Sequence, residues 1–396
     1  MNYRKTFIRN TLIAWSTVSV ILVMWSWSIA LNSAEADLLF NPAVNYNAGD
    51  WPFSVAIRDL NGDEKPDMAV ANYRSDSVSV LLGNGDGTFQ SPVNYGTGNF
   101  PYSVAIGDLN ADKKPDLAVA NKYDDNVSVL LGNGDGSFQS AVNYGTGTGP
   151  FSVTIRDLNE DEKPDMAVAN NYSHNVSVLL GNGDGSFQIA ANYETGDYPC
   201  SVAIDDLNVD EKSDIAVANG DSNASKDYVS VLLGNGDGTF RNAVNYGTGG
   251  GPTSVAIGDL NGDDNPDIVV ANRYSDNVSV LLSNGGGGFQ IAENYATGRY
   301  PYSVAIGDLN VDQKSDLAVA NQNDDKVSVL LGNGDGSFLS AVNFSVGDGP
   351  ISVAIDDLNG DNNPDLVVVN RFSRNISVLL GNGNGSFQKR GELKSQ

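Results

Sequence analysis

The chain has 396 residues, 44 of them glycine, and 23 basic against 49 acidic residues give a formal net charge of −26. Such a charge repels nucleic acid and anionic membrane surfaces and suits a protein that gathers cations. With one cysteine, Cys200, and one histidine, His174, there is no intrachain disulfide and no cysteine-based zinc site, so stability rests on packing or on a bound hard metal.

The amino-terminal segment differs in kind from the rest. Arg4, Lys5 and Arg9 precede an uncharged, largely apolar run over residues 11–34, and the small-residue pattern Ala34-Glu35-Ala36 follows. Residues 1–36 read as a secretory signal cleaved after Ala36. The run is longer than a usual signal core and carries Trp15, Trp25 and Trp27, so an uncleaved membrane anchor is the alternative reading. Either way the remainder is secreted or sits on the extracellular face of the membrane.

From residue 40 onward one phrase returns seven times. DLNGDEKPD, DLNADKKPD, DLNEDEKPD, DLNVDEKSD, DLNGDDNPD, DLNVDQKSD and DLNGDNNPD begin at Asp59, Asp108, Asp157, Asp206, Asp259, Asp308 and Asp357, spaced by 49, 49, 49, 53, 49 and 49 residues. The single 53 comes from a four-residue insertion within 220–228, a loop change that leaves the frame intact. Within one repeat, SVAIGDL, DLAVAN, VSVLLGN and FQSAVNY are short apolar runs bounded by turn residues, and each predicts a strand of five to seven residues. None has the length or the 3.6-residue period of a helix. Four antiparallel strands per repeat of this length predict a propeller blade, and seven repeats predict an all-β, seven-bladed β-propeller, a single monomeric ring over residues 37–390 with a short polar tail at 391–396.

Closure of the ring has its own signal. FNPAVNYNAG at 40–49 resembles the fourth-strand segment FQSPVNYGTG at 89–98, yet it precedes any first strand. The seventh repeat ends in GSFQ and continues as KRGELKSQ without the AVNY found elsewhere. The amino-terminal segment is therefore expected to supply the outer strand of the last blade, with FQKRGELK as the rival.

The repeated phrase places oxygen ligands at positions 1, 3, 5 and 9 of a tight loop. They are Asp59, Asn61, Asp63 and Asp67; Asp108, Asn110, Asp112 and Asp116; Asp157, Asn159, Asp161 and Asp165; Asp206, Asn208, Asp210 and Asp214; Asp259, Asn261, Asp263 and Asp267; Asp308, Asn310, Asp312 and Asp316; and Asp357, Asn359, Asp361 and Asp365. Carboxylate, amide and carbonyl oxygen without a soft ligand is the chemistry of a hard cation, above all calcium, and the seven loops offer room for up to seven ions. Turn propensity alone explains one or two such residues per loop. Here four positions recur in every repeat while position 4 varies through Gly62, Ala111, Glu160, Val209 and Val311. Two like charges 4 Å apart cost about 1 to 4 kcal/mol near a surface, so seven such clusters without a counter-charge would rival the stability of a domain.

PYSVAIGDLNADKKPDLAVAN and GPTSVAIGDLNGDDNPDIVVAN are similar to the FG-GAP/VCBS repeats of integrin alpha-chain propellers and of many secreted bacterial proteins, over about residues 40–388. The resemblance implies that the aspartate-rich loop joins the first two strands of a blade and binds calcium there. The chain departs from the commonest pattern in having Asn at position 3 throughout and no glycine after position 5, which bears on affinity.

GNGDG, before Thr88, Ser137 and their equivalents, lacks the Lys and Ser/Thr of a phosphate loop and opens no helix, so it reads as a tight hairpin with positive φ. In a four-stranded blade it shares a face with the aspartate loops. The opposite face carries the second-to-third connections and the crossings between blades, where the repeats differ. Trp51, Phe100, Tyr198 and Tyr300 stand before the crossing proline, and Tyr73, Tyr123, Tyr172, Tyr274 and Phe372 lie in the second-to-third loops. Exposed, they suit stacking on sugars or gripping a protein; the alternative is packing between blades. In integrins, by resemblance, the partner docks on the face away from the calcium loops. No Ser/His/Asp set, hydrolase metal motif or cofactor fingerprint breaks the sevenfold equivalence. The expectation is a non-enzymatic, calcium-stabilised binding or adhesion module for an extracellular protein or carbohydrate, with no nucleic-acid partner and contact with a membrane only through the amino-terminal segment. A purely structural module is the alternative, and a propeller enzyme comes third.

Overall fold

The computed structural model describes residues 43–220 and 227–388; the signal or anchor, the carboxy-terminal tail and most of the insertion in the fourth repeat lie outside them. Residues Pro42–Gln388 form one compact unit of seven four-stranded antiparallel sheets. The first blade comprises Pro52–Arg58, Asp67–Asn72, Ser77–Leu81 and Val93–Gly96, and each following blade repeats this order. No helix among the described residues is long and apolar enough to cross a membrane.

The last blade is completed from the other end of the chain. Val44–Asn47 pairs antiparallel with Asn375–Leu379, with Asn45 opposite Ser377. Tyr46 packs edge-on against Phe89 of the first blade, ring centroids 5.5 Å apart. Tyr95 makes the same contact with Phe138, and Tyr144 with Phe187. The amino-terminal strand thus takes the place that VNY takes in the other blades, as the similarity of 40–49 to 89–98 predicts.

The second strand of every blade is buried along its whole length, because both its faces meet neighbouring blades. Met68 and Val70 face the seventh blade, while Ala69 and Ala71 face the second. The hydrophobic core is accordingly a set of inter-blade layers rather than a central mass, and small residues on one side let the sheets approach as they converge on the axis. At the innermost strands the serine of each SVAI phrase accepts the N–H of a valine in the next blade, from Ser54 and Val104 (3.3 Å) round to Ser352 and Val55 (3.4 Å).

Two details differ from the sequence reading. The fourth strand is only four residues long, and Phe138 reaches the ladder through an isolated bridge to Gly132. The reason is burial: Phe138 turns into the layer between blades one and two instead of continuing the strand. The first strand also begins earlier than SVAI, at the proline, and its register shifts between Pro52 and Ser54. That bulge recurs in every blade and re-aims the residue after the proline. A polar relay ties the outer strands: Asn72 donates to Ser79 (2.8 Å), and Ser79 donates to Asn94 (2.6 Å). Across the closure the same relay runs from Asn370 through Ser377 to Asn45.

Candidate functional site

On one face, each aspartate loop is organised by its first residue. Asp59 Oδ1 accepts N–H groups from Asn61, Gly62 and Asp63, and Oδ2 accepts from Glu64 at 2.7 Å. Asn61 accepts from Asp63, and Asp63 from Lys65. These bonds wind the chain through two left-handed residues. At position 6, Glu64, Lys113, Glu162, Glu211, Asp264, Gln313 and Asn362 all have φ between 63° and 67°. The backbone therefore adopts the sharp turn that a calcium loop normally gives to glycine, although no glycine is present there. At position 4, Val209 and Val311 also stand at φ 58° and 59°, a conformation a β-branched residue rarely takes.

The ninth-position carboxylate behaves differently from the other three repeated positions. Asp67 is fully buried at the start of the second strand, where Oδ2 accepts Leu60 N–H (2.8 Å) and Oδ1 accepts Gly83 N–H (2.7 Å). It joins the aspartate loop to the start of the GNGDG hairpin. Burial pushes its equivalents Asp116, Asp165, Asp214, Asp267 and Asp316 up to about 6 and Asp365 up to about 7, with Asp361 and Asp357 adding to the rise at Asp365. Position 5 has a partial counter-charge within the chain, as Lys65 lies 3.4 Å from Asp63, Lys114 3.3 Å from Asp112 and Lys163 3.0 Å from Asp161. Loop N–H groups and these lysines thus relieve part of the repulsion expected from the sequence.

No three acidic, histidine or cysteine side chains among the described residues come together as a group that could hold a metal. The donor set nevertheless fits a hard cation. Every ligand is oxygen, each carboxylate keeps lone pairs beyond those its N–H donors use, and Asn208 Oδ1 is buried at position 3 with no hydrogen-bond partner among the described residues.

The GNGDG loops lie beside the aspartate loops and act between blades. Gly136 N–H donates to Leu60 O of the preceding blade (3.2 Å), and Gly87 N–H to Leu358 O across the closure (3.1 Å). A Cβ at Gly136 would strike Leu82 at 2.7 Å, and its φ of 80° demands glycine a second time.

On the opposite face the residues before the crossing prolines are all left-handed: Trp51, Phe100, Tyr198 and Tyr300 at φ 55° to 58°, with Gly149, Gly251 and Gly349 in the other blades. Phe100 and Tyr300 donate their N–H to Asp76 and Asp276 of the preceding blade, both at 2.9 Å. His174 holds the equivalent place and accepts Tyr198 N–H on Nδ1 at 3.0 Å, which gives the lone histidine a structural part. Trp51, Tyr73, Phe100 and Tyr123 form a chain of ring contacts along blades one and two, with centroids 4.7 to 6.3 Å apart. Tyr123 (55%), Tyr172 (45%), Tyr198, Tyr274 and Phe372 (53%) remain exposed, while Trp51, Tyr73, Phe100 and Tyr300 are partly buried. The aromatics thus pack on one another and still present surface.

Sequence reasoning missed the centre of this face. The bulge turns Phe53, Tyr102, Phe151, Cys200, Thr253, Tyr302 and Ile351 toward the axis, and the hydroxyls of Tyr102 and Tyr302 hydrogen-bond across it at 2.7 Å. A cavity of about 250 Å³ opens beside them, lined by Tyr102, Phe151, Tyr198, Cys200, Arg273 and Tyr302 among others. The signal was present as the variable residue after each crossing proline. Cys200 itself is partly buried, its thiol donating to Pro252 O (3.1 Å) and Ala218 O (3.3 Å), and burial pushes it up to about 12.

These features define a seven-bladed propeller with sevenfold acidic loops on one face and an aromatic, asymmetric surface on the other. FG-GAP-like repeats match residues 59–119, 108–168, 157–217, 206–270, 259–319 and 308–368, and the chain belongs to that family. Comparison with curated proteins finds no match. Among solved structures the fold resembles a putative 6-phosphogluconolactonase from Bacteroides fragilis (TM-score 0.65, 16% identity, 83% of this chain and 94% of that one). It also resembles BBS1N in complex with ARL6DN (TM-score 0.61, 13% identity, 86% and 96%) and a protein from Lactobacillus plantarum (TM-score 0.58, 16% identity, 78% and 88%).

Proposed function

We propose that this FG-GAP-like propeller is an extracellular, calcium-stabilised binding module that engages a protein or glycan through the face carrying the crossing loops, and that it is not an enzyme. The observation that carries the reading is the set of four aromatic residues held at left-handed φ before the crossing prolines. Each sits in a conformation that costs a non-glycine residue about 1–2 kcal/mol, and beside them Tyr123, Tyr172, Tyr274 and Phe372 stay exposed as aromatic surface. In each repeat the carboxylates and the asparagine of the aspartate loop are the residues that would hold calcium, which supplies the positive charge that stiffens the loop from which strands one and two diverge. Protein docking on a related fold, as in BBS1N with ARL6DN, supports a protein partner by analogy.

The test is a glycan array and a cell-adhesion assay on the full chain, with and without chelator. Calcium-dependent binding that is lost on Tyr123→Ala and Phe372→Ala is expected. Binding unaffected by those variants would overturn the assignment of the face, and hydrolysis of a sugar lactone would overturn the non-enzymatic reading.

A further inference from the structure

The residue directly after the second strand is Tyr73, Lys122, Asn171, Gly220, Arg273, Gln322 or Arg371 in successive blades, so three blades place a cation at the same level beside the axial mouth. Lys122 Nζ lies 4.5 Å from the centroid of Phe151 and 5.5 Å from that of Tyr102. Arg371 lies over Trp51 (4.1 Å) and Phe53 (4.7 Å), and Arg273 borders the cavity. No ion pair among the described residues uses any of the three, in a chain with 49 acidic side chains. The Nε atoms of Arg273 and Arg371 are buried without a hydrogen-bond partner among the described residues. Burial lowers the Lys122 ammonium below its usual value, and Arg371 adds to that shift.

The aromatic faces, and the Tyr274 hydroxyl at Arg273, offset part of the cost of half-burying these cations, but none has a carboxylate partner among the ion pairs of the described residues, which leaves their charge available to an anion. We propose that the axial mouth binds the carboxylate of an acidic sugar at the end of a glycan chain, with Arg273 in the cavity wall and Lys122 at its Tyr102–Phe151 edge facing the carboxylate, Tyr102, Phe151 and Tyr302 facing the sugar ring, and Arg371 adding positive charge from its place over Trp51 and Phe53. This rests on the binding-module reading above and names the ligand class. The cavity of about 250 Å³ lies below the roughly 300–1,000 Å³ typical of drug-sized ligands, so it admits one ring rather than a stretch of polypeptide. The rim excludes a broad polyanion, because Asp76, Asp125, Asp276 and Asp325 ring the crossings, each holding a backbone N–H.

The experiment is isothermal titration of the full chain with a glucuronic-acid-terminated disaccharide, its glucose-terminated counterpart and an aspartate-containing peptide. The acidic disaccharide should bind at least tenfold more tightly than the neutral one and weaken with salt. Lys122→Gln and Arg273→Gln should each lose about tenfold while Lys122→Arg retains binding, with unchanged melting curves showing that the ring is intact. Equal binding of the acidic and neutral sugars with loss on Tyr123→Ala would overturn the carboxylate site and leave the binding module standing. Preference for the peptide, absence of acidic-sugar binding, or undiminished binding by the glutamine variants would overturn it as well. Failure to bind any glycan or cell surface would remove both readings.

Discussion

Deleting residues 37–49 should open the ring, and the loss can be sized from the contacts of the closing strand. Val44–Asn47 faces Asn375–Leu379 over four residue pairs, which at about 1 kcal/mol net per ladder hydrogen bond contributes roughly 3 kcal/mol. Tyr46 on Phe89 adds about 1 kcal/mol as an edge-on pair beyond its burial, and the buried Ala43 methyl adds about 0.8 kcal/mol. With the Ser377 to Asn45 hydrogen bond of 2.7 Å the total is about 6 kcal/mol, within the roughly 5–15 kcal/mol that holds a domain together. Circular dichroism melts of the deletion should show a midpoint lower by about 10 °C or more, or no cooperative transition. A synthetic peptide of residues 37–49 should restore part of it, and Asn45→Ala alone should cost about 1–2 kcal/mol. An unchanged melting temperature in the deletion would refute closure by the amino-terminal strand and hand that role to the chain after Gln388.

Chelation with EDTA should lower the melting temperature of the protein as purified, and readdition of calcium should restore it; equal heat resistance with and without the ion would remove the metal from the account. In the metal-free protein burial holds the carboxyls of Asp116, Asp165, Asp214, Asp267 and Asp316 at about 6 and that of Asp365 at about 7, above the ordinary carboxylate range, and raises Asp67 in the same direction. Their stabilising contribution is therefore complete below about pH 4 and lost as pH rises through 6 to 7, so stripped protein should melt higher at about pH 5 than at about pH 8. Calcium, which needs the ionised carboxylate, should shrink or reverse that difference. Val209→Gly and Val311→Gly should each stabilise the fold by about 0.5–1 kcal/mol in urea titrations, because both valines are more than half exposed at left-handed φ. Cys200, raised to about 12, should react with iodoacetamide in the native state far more slowly than in urea, with little acceleration between about pH 7 and pH 9.

Much of this architecture is legible in the chain because a sevenfold repeat states the same local rule seven times. Alternation and turn residues defined the blade, the stray VNY at 44–46 announced the closure, and the spacing of Asp59, Asn61, Asp63 and Asp67 marked the loop as a place for oxygen ligands. Local sequence suffices wherever the determining interactions are local, as in a hairpin or a nine-residue loop. Asp67 shows where that ends: it lies only four residues beyond Asp63, yet its oxygens are committed by Leu60 and by Gly83, sixteen residues downstream. The axial mouth was beyond reach for the same reason. Tyr102 and Tyr302 are 200 residues apart, and only the curvature of seven packed sheets, together with a bulge after each crossing proline, brings their hydroxyls to 2.7 Å, with Lys122 5.5 Å from the Tyr102 ring and Arg273 in the wall of the same cavity.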